Sequence, residues 1–331
     1  MMVGMLDVKA PSTCDGILNI CKPIGWTSHD VVGRLRRVLG FQKVGHAGTL
    51  DPAATGVLPI LLGKGTRISD YLMSWDKEYE GVLRLGQDTD TQDATGTVIM
   101  ESCAANVTED AIREVMGRFQ GEIKQVPPMF SAVKVNGRPL YKAARAGMVV
   151  NREARTVTIH RLEILKIYEQ DVSFRVVCSK GTYIRTLCAD IGQQLGVGGH
   201  LRSLQRVRVG PLHMSHALSP QDIEPQVNPS QRIHSFLSLD EALNSMPVVM
   251  VDSSVVSRVL NGCAIPFSTV TQQEVAYGDP KQLDLIFRVK DPLGRLLGLG
   301  RCASQSGALP ASDSQLVMIK VLAEPSLSAS Y

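Results

Sequence analysis

Apolar positions along the chain change their period several times, and each change predicts an element. Gly16-Ile17-Leu18-Asn19-Ile20-Cys21-Lys22 is a short buried strand stopped by Pro23. Thr27-Ser28-His29-Asp30 then fits a capping box, and Val31, Val32, Leu35, Val38 and Leu39 recur at helical spacing until Gly40. Arg34, Arg36 and Arg37 fall away from that stripe. Val57 to Leu62 is a short apolar run, and Tyr79, Gly81, Leu83 and Leu85 alternate with Glu80, Val82 and Arg84, the period of a half-buried strand. Thr108 caps a helix through Phe119. Arg155 to Tyr168 and Asp171 to Cys178 read as strands, the second ending at the Lys180-Gly181 turn. Ile184, Leu187, Cys188, Ile191 and Leu195 mark an amphipathic helix closed by Gly196. Leu201 to Val209 alternates again, and simple alternation places Arg202, Leu204, Arg206 and Arg208 on one face.

The later part of the chain changes character. Ser219 to Pro229 is polar and proline-studded, a linker by composition, and Ser238-Leu239-Asp240-Glu241 is a second capping box. Short strands follow at Val248–Val251, Leu283–Val289, Leu296–Leu299 and Val317–Val321, with a turn at Asp291-Pro-Leu-Gly294. These changes divide the chain into an N-terminal extension (1–15), a main domain (16–245), a small β-rich domain (246–323) and a disordered tail (324–331). A length of 331 residues suffices for two separate cores. No apolar run approaches the ~18 residues that span a bilayer, and Met1 to Asp15 resembles neither a secretory signal nor a transit peptide. The seven cysteines form no CxxC pair and leave one over, which predicts reduced thiols in a cytoplasmic protein and no zinc site. A net charge of only +3 does not announce nucleic acid, so clustering of Lys and Arg has to make that case.

The candidate chemistry gathers in Gly45-His46-Ala47-Gly48-Thr49-Leu50-Asp51-Pro52-Ala53-Ala54-Thr55-Gly56. Asp51 is the only carboxylate between Asp30 and Asp70, among Arg34, Arg36, Arg37, Lys43, Lys64 and Arg67, and is expected to stay ionised. The segment reads either as an ordinary turn in which Asp51 caps a local amide or as a shaped loop presenting one carboxylate. Arg185, in the first turn of its helix, opposes the helix dipole. It is a surface cation or it has a specific partner. Arg202, Arg206 and Arg208 around Leu204 offer phosphate contacts beside an apolar surface. Gly63-Lys64-Gly65-Thr66 lacks the spacing of a phosphate loop. The Asp88 to Asp93 run lacks the Gly and Glu of a calcium loop and is read as a polar loop.

The run GHAGTLDPAATGVLPI resembles the active-site loop of the TruB family of pseudouridine synthases. Lys22-Pro23-Ile24-Gly25-Trp26-Thr27-Ser28 is similar to that family's KPxGxTS motif, and Lys77-Glu78-Tyr79, with the segment after it, to its KxY and LGxxTDTxDxxG motifs. The stretch from Pro127 to Arg145 resembles PPxYSAxKxxGxxLYxxAR with Phe130 in place of Tyr, and Ser179 to Leu187 matches SKGTYIRTL in full. The resemblance implies an α/β (α+β) catalytic domain with a mixed, largely antiparallel sheet flanked by helices, and the small domain resembles a PUA pseudo-barrel. It implies that Asp51 is the catalytic nucleophile, that Arg185 holds it ionised and oriented, and that His46 fills the space of a flipped base. Tyr79 would stack on that base and serve as candidate general base, with its ordinary pKa near 10 needing local activation. Tyr183 and Leu204 would complete the pocket, and Arg202, Arg206 and Arg208 would contact RNA backbone. The implied reaction isomerises uridine-55 in the TΨC stem-loop of tRNA without cofactor, metal, membrane or protein partner, in a monomeric cytoplasmic enzyme. A guide-RNA-dependent synthase subunit and an RNA-folding protein stand as the competing readings.

Overall fold

The computed structural model describes residues 15–131, 134–135, 137–146, 148, 150–223, 235–273, 285–303 and 314–324. Most of the N-terminal extension, residues 224–229 of the linker, Asn136, the start of the predicted strand at Leu283 and nearly all of the tail lie outside the described residues. Two compact units are present. Of the described residues, one unit holds 18–61, 69–223 and 235–236, and the other holds 237–324 together with the short segments 15–17 and 62–68.

The first unit is built in chain order from β1 (Gly16–Lys22), α1 (Ser28–Leu39), β2 (Val44–His46), β3 (Thr55–Leu62), α2 (Ser69–Met73), β4 (Lys77–Leu85), β5 (Gln87–Thr89) and β6 (Val98–Glu101). It continues with α3 (Glu109–Gly117), β7 (Gly121–Gln125), β8 (Lys134–Val135), β9 (Arg138–Pro139), α4 (Leu140–Arg145), β10 (Arg155–Tyr168), β11 (Asp171–Cys178), α5 (Ile184–Gln194) and β12 (Gly199–Val209). The main sheet runs β1-β3-β12-β4-β11-β10-β7, with β2 on β3. β12 is parallel to β3 and antiparallel to β4, and β4, β11, β10 and β7 are antiparallel in turn. The fold is therefore the mixed, largely antiparallel sheet with flanking helices expected from the resemblance.

Local chemistry sets these elements. The Thr27 hydroxyl accepts from the Asp30 amide at 3.1 Å while the Asp30 carboxylate accepts from the Thr27 amide at 2.8 Å, and Gly40, at φ +68°, ends α1. The cap also lowers the Asp30 pKa, first through the Thr27 hydroxyl. β4 buries Lys77, Tyr79, Gly81, Leu83 and Leu85 and turns Glu78, Glu80, Val82 and Arg84 outward. One core joins Tyr79, Leu83, Phe174, Val176, Leu187, Cys188 and Ile191 to Leu50 and Ala54, residues that flank Asp51. The catalytic candidate is thus carried on a loop whose neighbours in sequence are anchored in the interior.

The second unit has a six-stranded sheet containing Val248–Val251, Ile265–Pro266, Val270–Gln273, Ile286–Lys290, Leu296–Ala303 and Gln315–Val321. Its own core includes Val249, Val251, Val259, Ile265, Phe287, Val289, Leu297 and Leu316. Among the described residues, no helix is long and apolar enough to cross a membrane.

Candidate active site

The Asp51 loop leaves β2 and enters β3, and main-chain and buried side-chain contacts fix it on both sides. Leu50 donates its amide to the buried Ser28 hydroxyl at 3.0 Å. Gly25 donates to the Pro52 carbonyl at 2.8 Å, and Ala54 donates to the Asp51 carbonyl at 3.0 Å. Lys22, fully buried, sends its ammonium to the carbonyls of Pro23 at 2.9 Å, Trp26 at 2.7 Å and Pro52 at 3.3 Å. Burial pulls the Lys22 pKa down to about 8, against the opposing pull of Asp51. The KPIGWTS segment is therefore the floor on which the loop rests.

Arg185 supplies the specific partner. It is 6% exposed, and its Nε lies 3.0 Å from Asp51 Oδ2, while Nη1 lies 3.5 Å from Asp93 Oδ2. Its remaining N–H groups donate to the carbonyls of Thr91 at 3.1 Å and Phe130 at 2.8 Å. The Phe130 position, where the sequence lacks the family's hydroxyl, contributes through its backbone. Four fixed partners hold the guanidinium plane, so the Asp51 carboxylate meets a preorganised donor. Desolvation nevertheless raises the Asp51 pKa, Arg185 opposes that rise, and Asp93 adds to it. The expectation that cations close in sequence would govern Asp51 is corrected here. Those acting on it are Arg185 and Lys22, and burial outweighs them.

Tyr79 is buried beside this pair, and desolvation raises its pKa while Arg206 acts in the opposite direction. This rise is opposite in direction to the local activation a general base needs. Leu204 packs partly buried on the same core as Tyr79, Leu50 and Ala54. His46 lies edge-on to His29 with ring centroids 5.4 Å apart, and its Nδ1 is buried without a hydrogen-bond partner among the described residues. Burial lowers the His46 pKa, so its neutral form is favoured. Tyr183 caps α5 and is held through its backbone, which donates to Gln125 at 3.0 Å and accepts from it at 3.2 Å. An acid held by a buried arginine, next to an aromatic ring and an aliphatic side chain, can engage a planar base and its sugar.

Comparison with known proteins agrees with this site. Residues 36–184 match the family model for the TruB family pseudouridylate synthase N-terminal domain, and residues 185–247 match the tRNA pseudouridylate synthase B C-terminal domain. The tRNA pseudouridine synthase B of Burkholderia pseudomallei (strain 668) is 42% identical over 289 residues, covering 87% of this chain and 93% of the relative. The chain belongs to the TruB family. The Clostridium perfringens (strain SM101 / Type A) tRNA pseudouridine synthase B is 41% identical over 288 residues, covering 87% of this chain and 95% of the relative. A crystal structure of a Cbf5-Nop10-Gar1 complex aligns with a TM-score of 0.71 at 30% identity, over 94% of this chain and 86% of that one.

The arginine face read from the sequence is not the one this TruB-family chain forms. β12 carries register shifts between Leu201 and Ser203 and between Arg206 and Arg208, and each extra residue reverses the alternation. Leu201, Leu204, Arg206 and Val209 lie opposite Leu83, Gly81, Tyr79 and Lys77, the inward residues of β4. Arg206 is 1% exposed and is unavailable to phosphate. Arg208 faces outward and pairs with Glu78 at 3.0 Å, and Arg202 pairs with Asp171. Each outward arginine is engaged by a carboxylate of the same sheet that a second arginine shares, Glu78 with Arg175 and Asp171 with Arg84. Arg202→Gln and Arg208→Gln are therefore expected to leave the slope of log K against log salt for RNA binding unchanged. A loss approaching ~0.9 for either would restore it as a phosphate contact.

Two residues at the site escaped the sequence reading and a third was given another role. Asp93 reads as part of a polar loop and Lys22 as the end of a strand, while Arg206 was expected to contact RNA backbone. The signal for Lys22 was a charge embedded in an otherwise apolar run. That for Asp93 was its place among several Thr and Asp residues that organise one another, since its carboxylate accepts from the Thr95 amide at 3.0 Å and the Thr91 hydroxyl at 2.8 Å.

Proposed function

We propose that this chain converts uridine-55 in the TΨC loop of tRNA to pseudouridine, acting alone and without guide RNA. The observation that carries the reading is the Asp51–Arg185 pair at 3.0 Å on a loop of the family's sequence. The reaction breaks the N1–C1′ bond, turns the uracil and forms C5–C1′, with the C5 proton leaving to solvent and a proton added at N1. It calls for a group that attacks or stabilises the reacting centre and for a pocket that accepts a base removed from its stack. Asp51 is assigned the first role, and His46, Tyr79, Tyr183 and Leu204 the second. The rise in Tyr79 pKa favours stacking over base catalysis for the free enzyme. Any proton abstraction by it would need the environment of the bound complex.

Stand-alone action on tRNA is supported by relatives named tRNA pseudouridine synthase B that match at 41–42% over 93–95% of their length. The Cbf5 of the complex matches at 30%. Residues 246–323 are assigned an accessory PUA-like role in gripping RNA, supported by the separate six-stranded sheet and core of the second unit. Because the C5 hydrogen must leave, tRNA transcript carrying tritium at uridine C5 is expected to release one tritium per molecule into water on incubation with the pure protein. A transcript with cytidine at position 55 is expected to release none. Release that requires an added guide RNA, or that survives the cytidine substitution, would contradict the reading.

A further inference from the structure

Arg206 has no place in the reading above except as an expectation the structure overturned, yet its surroundings are built with care. It is among the largest fully buried side chains and stands opposite Tyr79 on β12. On its other side it is paired in parallel register with Gly56, the glycine that closes the Asp51 loop. Its Nε donates to the Val57 carbonyl at 2.7 Å, its Nη2 to the Gly48 carbonyl at 2.9 Å, and its Nη1 approaches the Thr49 carbonyl at 3.5 Å. One guanidinium therefore grips the loop on both sides of Asp51.

The two glycines that bracket the loop lie against this residue, Gly56 against its backbone and Gly48 against its guanidinium. A Cβ on Gly56, at φ +107°, would fall 2.2 Å from the Arg206 carbonyl oxygen and 2.8 Å from its amide nitrogen. A Cβ on Gly48, at φ +96°, would sit 3.4 Å from Nη1. Gly56 thus lets the two strands close, and Gly48 turns its carbonyl onto the guanidinium. The guanidinium is met by these main-chain oxygens and by the Tyr79 side chain, with which it hydrogen-bonds, and no carboxylate lies within ion-pair distance of it among the described residues. A buried cation of that kind is costly to desolvate and is weak evidence for a stability role. A rigid fork with fixed donor directions is, in contrast, well suited to fixing loop geometry.

We propose that Arg206 is a positioning residue for the reaction: its guanidinium clamps both ends of the Gly48–Gly56 loop and so sets the Asp51 carboxylate against Arg185. The inference rests on the reading that Asp51 is the reacting carboxylate. Lys22 supports the same loop from below at Pro52, but on one carbonyl through a rotatable ammonium, whereas Arg206 spans the entry and the exit. A loop released at those ends lets Asp51 move by an ångström or so, enough for a rate loss of about 100-fold.

The test uses the full-length protein as Arg206→Lys and Arg206→Met, with Asp51→Asn and wild type in parallel. Folding is checked by melting, tRNA affinity by titration, and single-turnover rate is measured across pH. Arg206→Lys keeps the buried charge but cannot reach three carbonyls in fixed directions, so it is expected not to rescue. Both Arg206 variants are expected to bind tRNA within about 3-fold of wild type and to lose about 100-fold in rate. The acid limb of their rate profile is expected to move upward as Asp51 leaves its partner. A rate within about 3-fold of wild type while Asp51→Asn is inactive would overturn the proposal and leave the Asp51 assignment intact. Turnover by Asp51→Asn would instead overturn the assignment beneath it. A variant whose affinity falls in step with its rate at an unchanged acid limb, or the unfolding of both Arg206 variants, would make Arg206 a stability residue and overturn the proposal.

Discussion

Asp51→Asn is expected to bind tRNA within about 3-fold of wild type and to lose at least about 1,000-fold in single-turnover rate. Affinity should survive because one buried-edge charge is removed from an interface that an RNA partner makes mainly through its phosphates. Rate should not, because the amide keeps the shape of the side chain and removes the reacting oxyanion. A residual rate above about 1% of wild type would leave a barrier change of under ~3 kcal/mol, too small for an essential group. The variant also carries a stability prediction. Desolvation raises the Asp51 pKa in the folded chain, so the ionised form costs stability above that pKa, and the cost is relieved as pH falls through it. Replacing the acid by its amide removes the cost, while Arg185 keeps Asp93 and the carbonyls of Thr91 and Phe130. Asp51→Asn is therefore expected to melt at or above the wild-type temperature at neutral pH.

Removing Arg185 is expected to have the next largest effect, and its signature is a shift in pH dependence. The active form of Asp51 is the carboxylate, so activity is present above its pKa and lost as pH falls through it. Arg185 is the largest of the influences that lower that pKa. Its loss moves the acid limb of the rate profile upward. Arg185→Met should show this shift with a rate loss of about 100- to 1,000-fold at neutral pH, as expected when a buried, preorganised donor is removed from a reacting group. Arg185→Lys retains a charge but not the fork that reaches Asp51, Asp93 and two carbonyls together, so its limb should move less while much of the rate loss remains. A limb that stays in place in both variants would show that Asp51 does not depend on Arg185 for its ionisation.

The contrast between Arg185 and Arg206 shows which parts of the molecule a sequence discloses. Arg185 was partly legible: a cation in the first turn of a helix runs against the dipole and asks for a partner, but Asp51 as that partner was implied only by the resemblance. The α1 capping box, the alternation of β4, the extents of β10 and β11 and the helix at Ile184 were legible for a similar reason. Each rests on interactions among residues a few positions apart. β12 failed in detail because a β-bulge leaves no mark in the hydrophobic pattern when the residues concerned are long and amphipathic. Two such shifts carried Arg206 inside and left Arg202 and Arg208 outside. The Arg185–Asp93 contact joins residues 92 positions apart in sequence and could not be read from spacing. The cations acting on Asp51 were misidentified for the related reason that charges close along the chain were taken for charges close in space.

The measurement that bears most directly on the whole account is base-resolution mapping of pseudouridine in an unmodified tRNA transcript after incubation with pure protein, wild type beside Asp51→Asn, with no guide RNA and no other protein present. The account predicts near-complete pseudouridine at position 55 with wild type and none with Asp51→Asn at equal tRNA occupancy. Product at position 55 from both proteins, or from neither until a guide RNA is supplied, would contradict it.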